Sequence, residues 1–161
     1  MTSGFDHPSA AKDGSMSRAE ISAKLDITDP FLMIDSFRMG DDGATAFATK
    51  DLQSEDWFFD CHLPGEQVMP ATLQIEGMLQ TLVLLIYAAK DHGAKRSFVT
   101  DINAKLLSAA TPGLSITYEA SLKSFRRGIA KGEVIGTSEG KVLCRGEFGY
   151  ASPHLMAVPT Q

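Results

Sequence analysis

Residues 77–89, GMLQTLVLLIYAA, carry no charged side chain. With ATLQIE before them and Lys90 after them they form one helix-forming segment, 71–90, entered directly from Pro70. A helix apolar on nearly every side has to be enclosed by other structure. Crossing a bilayer takes about 20 apolar residues, and the uncharged run here is 13. The segment therefore reads as the buried helix of a globular core, with no membrane span expected.

The rest of the chain supplies material to enclose it. SRAEISAKLD (17–26) reads as a short amphipathic helix, with Ser17 as its cap and Glu20 three residues on. Residues 30–52 read as two strands joined by a Gly-Asp-Asp-Gly turn. Asp-His-Gly at 91–93 supplies the stop of the long helix, with Gly93 suited to a left-handed cap. Strands follow at 96–109, 115–125, 129–137 and 141–151, the last two flanking a Ser-Glu-Gly turn as in a hairpin. One long helix and five or six strands fit an α+β fold in which a curved antiparallel sheet wraps the helix.

A chain of 161 residues with 43% hydrophobic and 22% charged side chains is one domain of ordinary globular composition. The domain is expected over 16–151, with flexible tails at 1–15 and 152–161. The net charge of −5 argues against a general nucleic-acid surface, which needs a basic excess. Cys61 and Cys144 have no metal-binding spacing, so no metal is expected and a reducing compartment is the simple reading. The first residues lack the layout of a secretory signal, which fits a cytoplasmic location.

Few side chains in the long helix are polar, and Thr72, Glu76 and Gln80 stand four apart on one face. A carboxylate in a core helix is costly unless it is paired or used. His62 lies in the loop FFDCHLPGEQVMP (58–70) that leads into the same helix. One base and one acid delivered to the start of a buried helix are the minimal equipment for moving two protons. Glu76 at a wet edge and His62 as a structural residue are the plain alternatives. A Cys61–His62 nucleophile pair is disfavoured, because neighbours in an extended segment point to opposite faces.

PFLMID (30–35), HLPGEQVMPATLQIEGMLQ (62–80), Asn-Ala-Lys (103–105), Pro-Gly (112–113) and Arg-Arg-Gly (126–128) occur in that order. Together they resemble the β-hydroxyacyl-acyl carrier protein dehydratases, from about Met16 to about Tyr150. The resemblance implies a hot-dog fold and a dimer whose sheets join edge to edge. Each active site then takes its His from one subunit and its acid from the other. It implies His62 as the base, Glu76 as the acid and the backbone N–H of Ala71 as an oxyanion donor, with Gly65 and Gln80 in substrate positioning. The implied reaction turns a β-hydroxyacyl thioester into a trans-2-enoyl thioester and water, with no cofactor. The implied partner is an acyl carrier protein, for which Lys105, Arg126, Arg127 and Lys131, with Lys95 and Arg96 next, are the candidate docking residues, an ordinary solvated strand edge being the plain alternative.

Departures from the pattern accompany the match. Ala71 stands where the family has glycine, Leu63 where it has an aromatic and Cys61 where it has glycine. Ile27-Thr28-Asp29 replaces its His-Arg-Tyr, and Leu107 and Ser108 replace basic residues. These point to a divergent member in fatty acid, polyketide or polyene synthesis. Glu76 rather than Asp resembles the branch that dehydrates without isomerising. A hot-dog thioesterase, or a non-catalytic subunit paired with an active paralogue, stay as alternatives, as do a homodimer, an assembly of dimers or a heterodimer.

Overall fold

The computed structural model describes residues 14–93 and 96–156. The expected tails fall mostly outside them, as does Lys95. In chain order the elements are α1 (Arg18–Leu25), β1 (Ser36–Met39), β2 (Thr45–Asp51), α2 (Trp57–Cys61), α3 (Ala71–Ala89), β3 (Phe98–Leu106), β4 (Ser115–Arg126), β5 (Ile129–Ser138) and β6 (Lys141–Ala151). A single 3-10 turn, Pro153–Leu155, follows.

The six strands form one antiparallel sheet in the order β1-β2-β4-β5-β6-β3. The helix α3 lies against its inner face, as the apolar run required. Contact is closest where the sheet or helix offers glycine. A Cβ on Gly77 of α3 would lie 2.5 Å from the hydroxyl of Tyr118 on β4, and one on Gly132 of β5 would lie 2.5 Å from Leu82. The Tyr150 hydroxyl of β6 donates to the Leu79 carbonyl, 3.0 Å away. Although α3 is long and apolar enough to cross a bilayer, most of it is buried inside the protein.

Local chemistry sets the boundaries. Ser17 caps α1 by accepting the Glu20 N–H, and the Glu20 carboxylate accepts from the Ser17 hydroxyl in return. Both tight hairpins turn through two left-handed residues, Arg127–Gly128 and Glu139–Gly140. That geometry matches the right-handed twist of the strands.

Three expectations are corrected. The strand expected from residue 30 begins only at Ser36. The backbone before it is used otherwise: Phe31 O and Met33 N–H bond the Gln80 side chain. Gly93 does not cap α3. The helix ends at Ala89, and the N–H groups of Lys90 and Asp91 both reach Ile86 O at 2.9 Å. The segment before His62 is helical rather than extended, since α2 runs to Cys61 and His62 is its C-cap.

Candidate active site

His62 leaves α2 with its N–H on Phe58 O at 3.0 Å and an extended backbone. The loop then turns through Leu63 and Gln67, both in the left-handed region. Such conformations cost a non-glycine residue about 1 kcal/mol or more, and they gather where a loop must hold a fixed shape. The turn closes with Glu66 N–H on Leu63 O at 2.8 Å, and Met69 N–H anchors its far end to Ala110 O at 2.8 Å. Within this frame His62 Nδ1 meets Val68 O at 2.9 Å. A carbonyl can only accept, so Nδ1 carries the hydrogen and Nε2 keeps its lone pair.

His62 opens onto a cleft of about 390 Å³ lined also by Val68, Met69, Ala71, Gln74 and the stretch 106–109. Ala71 is the first residue of α3, and its φ is not in the left-handed region. Its N–H bonds no acceptor among the described residues. The cleft therefore holds a free base, a free N–H donor and the positive end of a 19-residue helix. This is an arrangement that can take a proton and stabilise a developing oxyanion.

Glu76 is not in this cleft. Residues two apart on a helix point about 200° apart, so a helix that turns Gln74 toward His62 turns Glu76 away from it. Glu76 Oε1 accepts from Gln80 Nε2 at 3.0 Å. Gln80, buried, also donates to Phe31 O at 3.0 Å and accepts Met33 N–H at 2.8 Å. It ties the 31–33 segment to α3 and holds the carboxylate in place. Burial first, and next the Glu76 charge, push the Tyr150 phenol up, so it stays a donor to Leu79 O.

The remaining expected positions are dispersed. Gly65 is exposed at the tip of the loop and does not line the cleft. Lys105 is exposed on β3, across from Arg145 of β6. Arg126 and Arg127 are exposed at the β4–β5 turn, at the opposite end of the sheet, about 20 Å along the strands. Lys131 is paired with Asp101 at 3.0 Å, and that contact holds the Asp101 carboxyl below its usual range. Cys61 points its thiol back at Trp57 O, 3.5 Å away. Among the described residues no group of three His, Cys, Asp or Glu could hold a metal ion.

Gln74 and the 106–109 wall were not among the expected site residues. Gln74 did carry a signal, as an amide in an apolar helix. Its orientation toward His62 follows only once the loop position is known.

The sheet has unequal edges. Met16 bridges Phe37 on the outer side of β1, with Met16 N–H on Phe37 O at 2.8 Å. Beyond β3 no strand pairs among the described residues. That edge carries exposed Phe98, Val99, Ile102, Leu106 and Leu107, with Ile102 at 51%. Long apolar open edges are sites of pairing with another chain.

The FabA-like domain family matches residues 26–147. The chain is 28% identical over 123 residues to the 3-hydroxyacyl-acyl-carrier-protein dehydratase FabZ of Bacillus thuringiensis (strain Al Hakam), covering 76% of this chain and 85% of that protein. The FabZ of Bacillus mycoides (strain KBAB4) matches equally. Among solved structures, the dehydratase heterocomplex ApeI:P from Xenorhabdus doucetiae superposes with a TM-score of 0.66 at 14% identity, over 83% of this chain and 90% of that one. A mutant thioesterase from Pseudomonas aeruginosa superposes with a TM-score of 0.65 at 17% identity, over 83% and 91%. The fold is the hot-dog fold.

Proposed function

The chain belongs to the FabA-like domain family, and from that premise we propose that it dehydrates β-hydroxyacyl thioesters borne on an acyl carrier protein to trans-2-enoyl thioesters. The observation that carries this reading is His62, fixed by Val68 O with Nε2 free, in one cleft with the unbonded N–H of Ala71. His62 Nε2 takes the proton from the carbon next to the thioester carbonyl. The carbonyl oxygen, gaining charge, is held by the Ala71 N–H. The C–OH bond then breaks, its oxygen takes a proton from Glu76 and leaves as water, and the C–C double bond forms. A proton returning from His62 to Glu76 through solvent resets the site.

Glu76 faces away from its own His62, so the acid comes from a second subunit. The open apolar edge of β3, beside the cleft wall at 106–109, suits that pairing. The second subunit is another copy of this chain. A lone chain that stays monomeric and inert would call instead for a related, non-identical partner.

The carrier meets a local basic patch, since the chain as a whole is acidic. Lys105 directly precedes the cleft wall and has Arg145 across the strand, while Lys131 is already paired. Arg126 and Arg127 form a second basic site at the β4–β5 turn. Charge reversal at either site should raise KM for carrier-bound substrate and leave small thioesters unaffected.

The deciding experiment incubates the protein with β-hydroxyacyl pantetheine and carrier thioesters of several lengths. Formation of the conjugated enoyl thioester, with no free thiol, is the expected result. Thiol release would make it a thioesterase. The preferred chain length would separate fatty acid from polyketide or polyene synthesis.

A further inference from the structure

Gln74 is 2% exposed and lines the His62 cleft. Its Nε2 donates to Ser108 O at 3.3 Å, which fixes the amide orientation because a carbonyl can only accept. That leaves Oε1 as a buried acceptor with no donor among the described residues. Buried polar groups are paired in the great majority of cases, and an unpaired one is costly. Gln74 lines the His62 cleft, so the cleft is the side from which a donor reaches it. That donor must carry O–H or N–H.

Position narrows its identity. Ala71 is exposed at the mouth of the cleft, while Gln74 is buried one helical turn further in. In the proposed reading the thioester carbonyl sits at the Ala71 N–H. The carrier arm then runs outward to solvent and the acyl chain runs inward. The only donor on the inward side of a β-hydroxyacyl thioester is its β-hydroxyl. Resting on that reading, we infer that Gln74 Oε1 accepts the hydrogen of the substrate's β-hydroxyl group. This bond fixes the hydroxyl rotor with its lone pairs turned away from Gln74, free for the incoming acid. It is absent with the enoyl product, which has no such donor, so Gln74 is a specificity residue that favours the hydroxyacyl form over the product.

Binding can be measured without turnover in the full-length His62→Ala protein. The probes are β-hydroxybutyryl and β-hydroxyoctanoyl pantetheine thioesters, each against the matching acyl thioester lacking the hydroxyl, by titration calorimetry. The hydroxylated ligand should bind about tenfold tighter, as one hydrogen bond to an otherwise unpaired buried group implies. Adding Gln74→Leu should bring that ratio to about one, as should Gln74→Met, which keeps the length and volume of the side chain. A merely structural role would weaken both ligands alike and leave the ratio unchanged. Equal binding of both ligands with Gln74 present, or a ratio that survives either substitution, overturns the inference and points to a bound water on Gln74. Binding of neither ligand overturns the dehydratase reading and the inference with it.

Discussion

His62 Nδ1 stands 2.9 Å from the carbonyl oxygen of Val68, six residues further along the same loop. The contact spans a turn that two left-handed residues, Leu63 and Gln67, hold in shape. It sets both the ring orientation and the tautomer, so Nε2 is the nitrogen left with its lone pair free. Replacing His62 with Ala should lower enoyl thioester hydration by about 10²–10⁴-fold, the usual contribution of a positioned acid or base. Far-ultraviolet circular dichroism should be unchanged, because the loop keeps its backbone bonds at Glu66 and Met69. Near-normal hydration by this variant would remove His62 from the chemistry.

Glu76 and Gln80 should separate chemistry from stability. Glu76→Gln keeps the shape of the side chain but cannot give up a proton as an acid does. Turnover should fall about 10²–10⁴-fold with little change in the urea midpoint. Gln80→Leu strands the Met33 N–H and the Phe31 carbonyl and frees Glu76. Each buried group left unpaired costs about 1–3 kcal/mol, so this variant should lose both stability and rate. Urea unfolding beside the hydration assay reads both effects.

Gly77 and Tyr118 form one of the two tightest glycine contacts between α3 and the sheet. Any Cβ at 77 would meet the phenol ring and its hydroxyl at 2.5–2.7 Å, and both residues are buried. Gly77→Ala should therefore destabilise by about 1–3 kcal/mol, despite the better helix propensity of alanine. The Tyr118 hydroxyl has no partner among the described residues. Tyr118→Phe should leave stability unchanged or raise it, since it deletes an unpaired buried group. Thermal unfolding of the two variants checks both signs.

These contacts mark how far the sequence could be read. The enclosing sheet followed from the apolar run at 77–89 together with the strand patterns around it, because such a helix has to be enclosed. The β5–β6 hairpin followed from Ser-Glu-Gly, whose glycine supplies the second left-handed residue. His62 and Glu76 stood out as polar residues in apolar company. Where each one faces was not legible, because that depends on how α2 delivers the loop and on which side of α3 meets the sheet. Gln74 and Glu76 are two residues apart in sequence and open on different sides. Gly93 failed as a cap because α3 ends at Ala89, where the N–H groups of Lys90 and Asp91 already close on Ile86 O, with Asp91 buried and 2.9 Å from His154 in another part of the chain. Tertiary contact overrode a local signal there, as it did for the Pro30–Asp35 segment claimed by Gln80.

The two cysteines should differ sharply in reactivity. Cys61 is exposed at the end of α2, whereas Cys144 is buried on β6. Burial pushes the Cys144 thiol up to about 11 from its ordinary 9.0. The thiolate is the reactive form, so a thiol reagent at neutral pH should label one cysteine in the native protein and two in urea. The raised value also fixes a sign. The unfolded thiol ionises first, so stability from this site is present below pH 9 and lost as the pH rises toward about 11. Rapid labelling of Cys144 in the native state would mean that β6 opens at its Cys144–Leu106 end.

The opposed directions of His62 and Glu76 make the strongest claim about assembly. If each site is shared, the single variants His62→Ala and Glu76→Gln are inactive for complementary reasons. Mixing them under conditions of subunit exchange should restore activity. In a random twofold mixture half the dimers are hybrid, and each hybrid has one intact site of two, so recovery should approach about a quarter of the wild-type rate. Ile102→Lys tests the same arrangement from the interface. Ile102 is half-exposed on β3, across from Phe148, and distant in sequence from both site residues. A lysine there should cost the monomer little and oppose burial of the edge. The variant should run as a monomer by light scattering and lose hydration activity with its His62 loop intact. An active monomer, or a mixture of the two single variants with no recovered activity, would place His62 and Glu76 in one subunit's site after all, and α3 would have to rotate to bring them together.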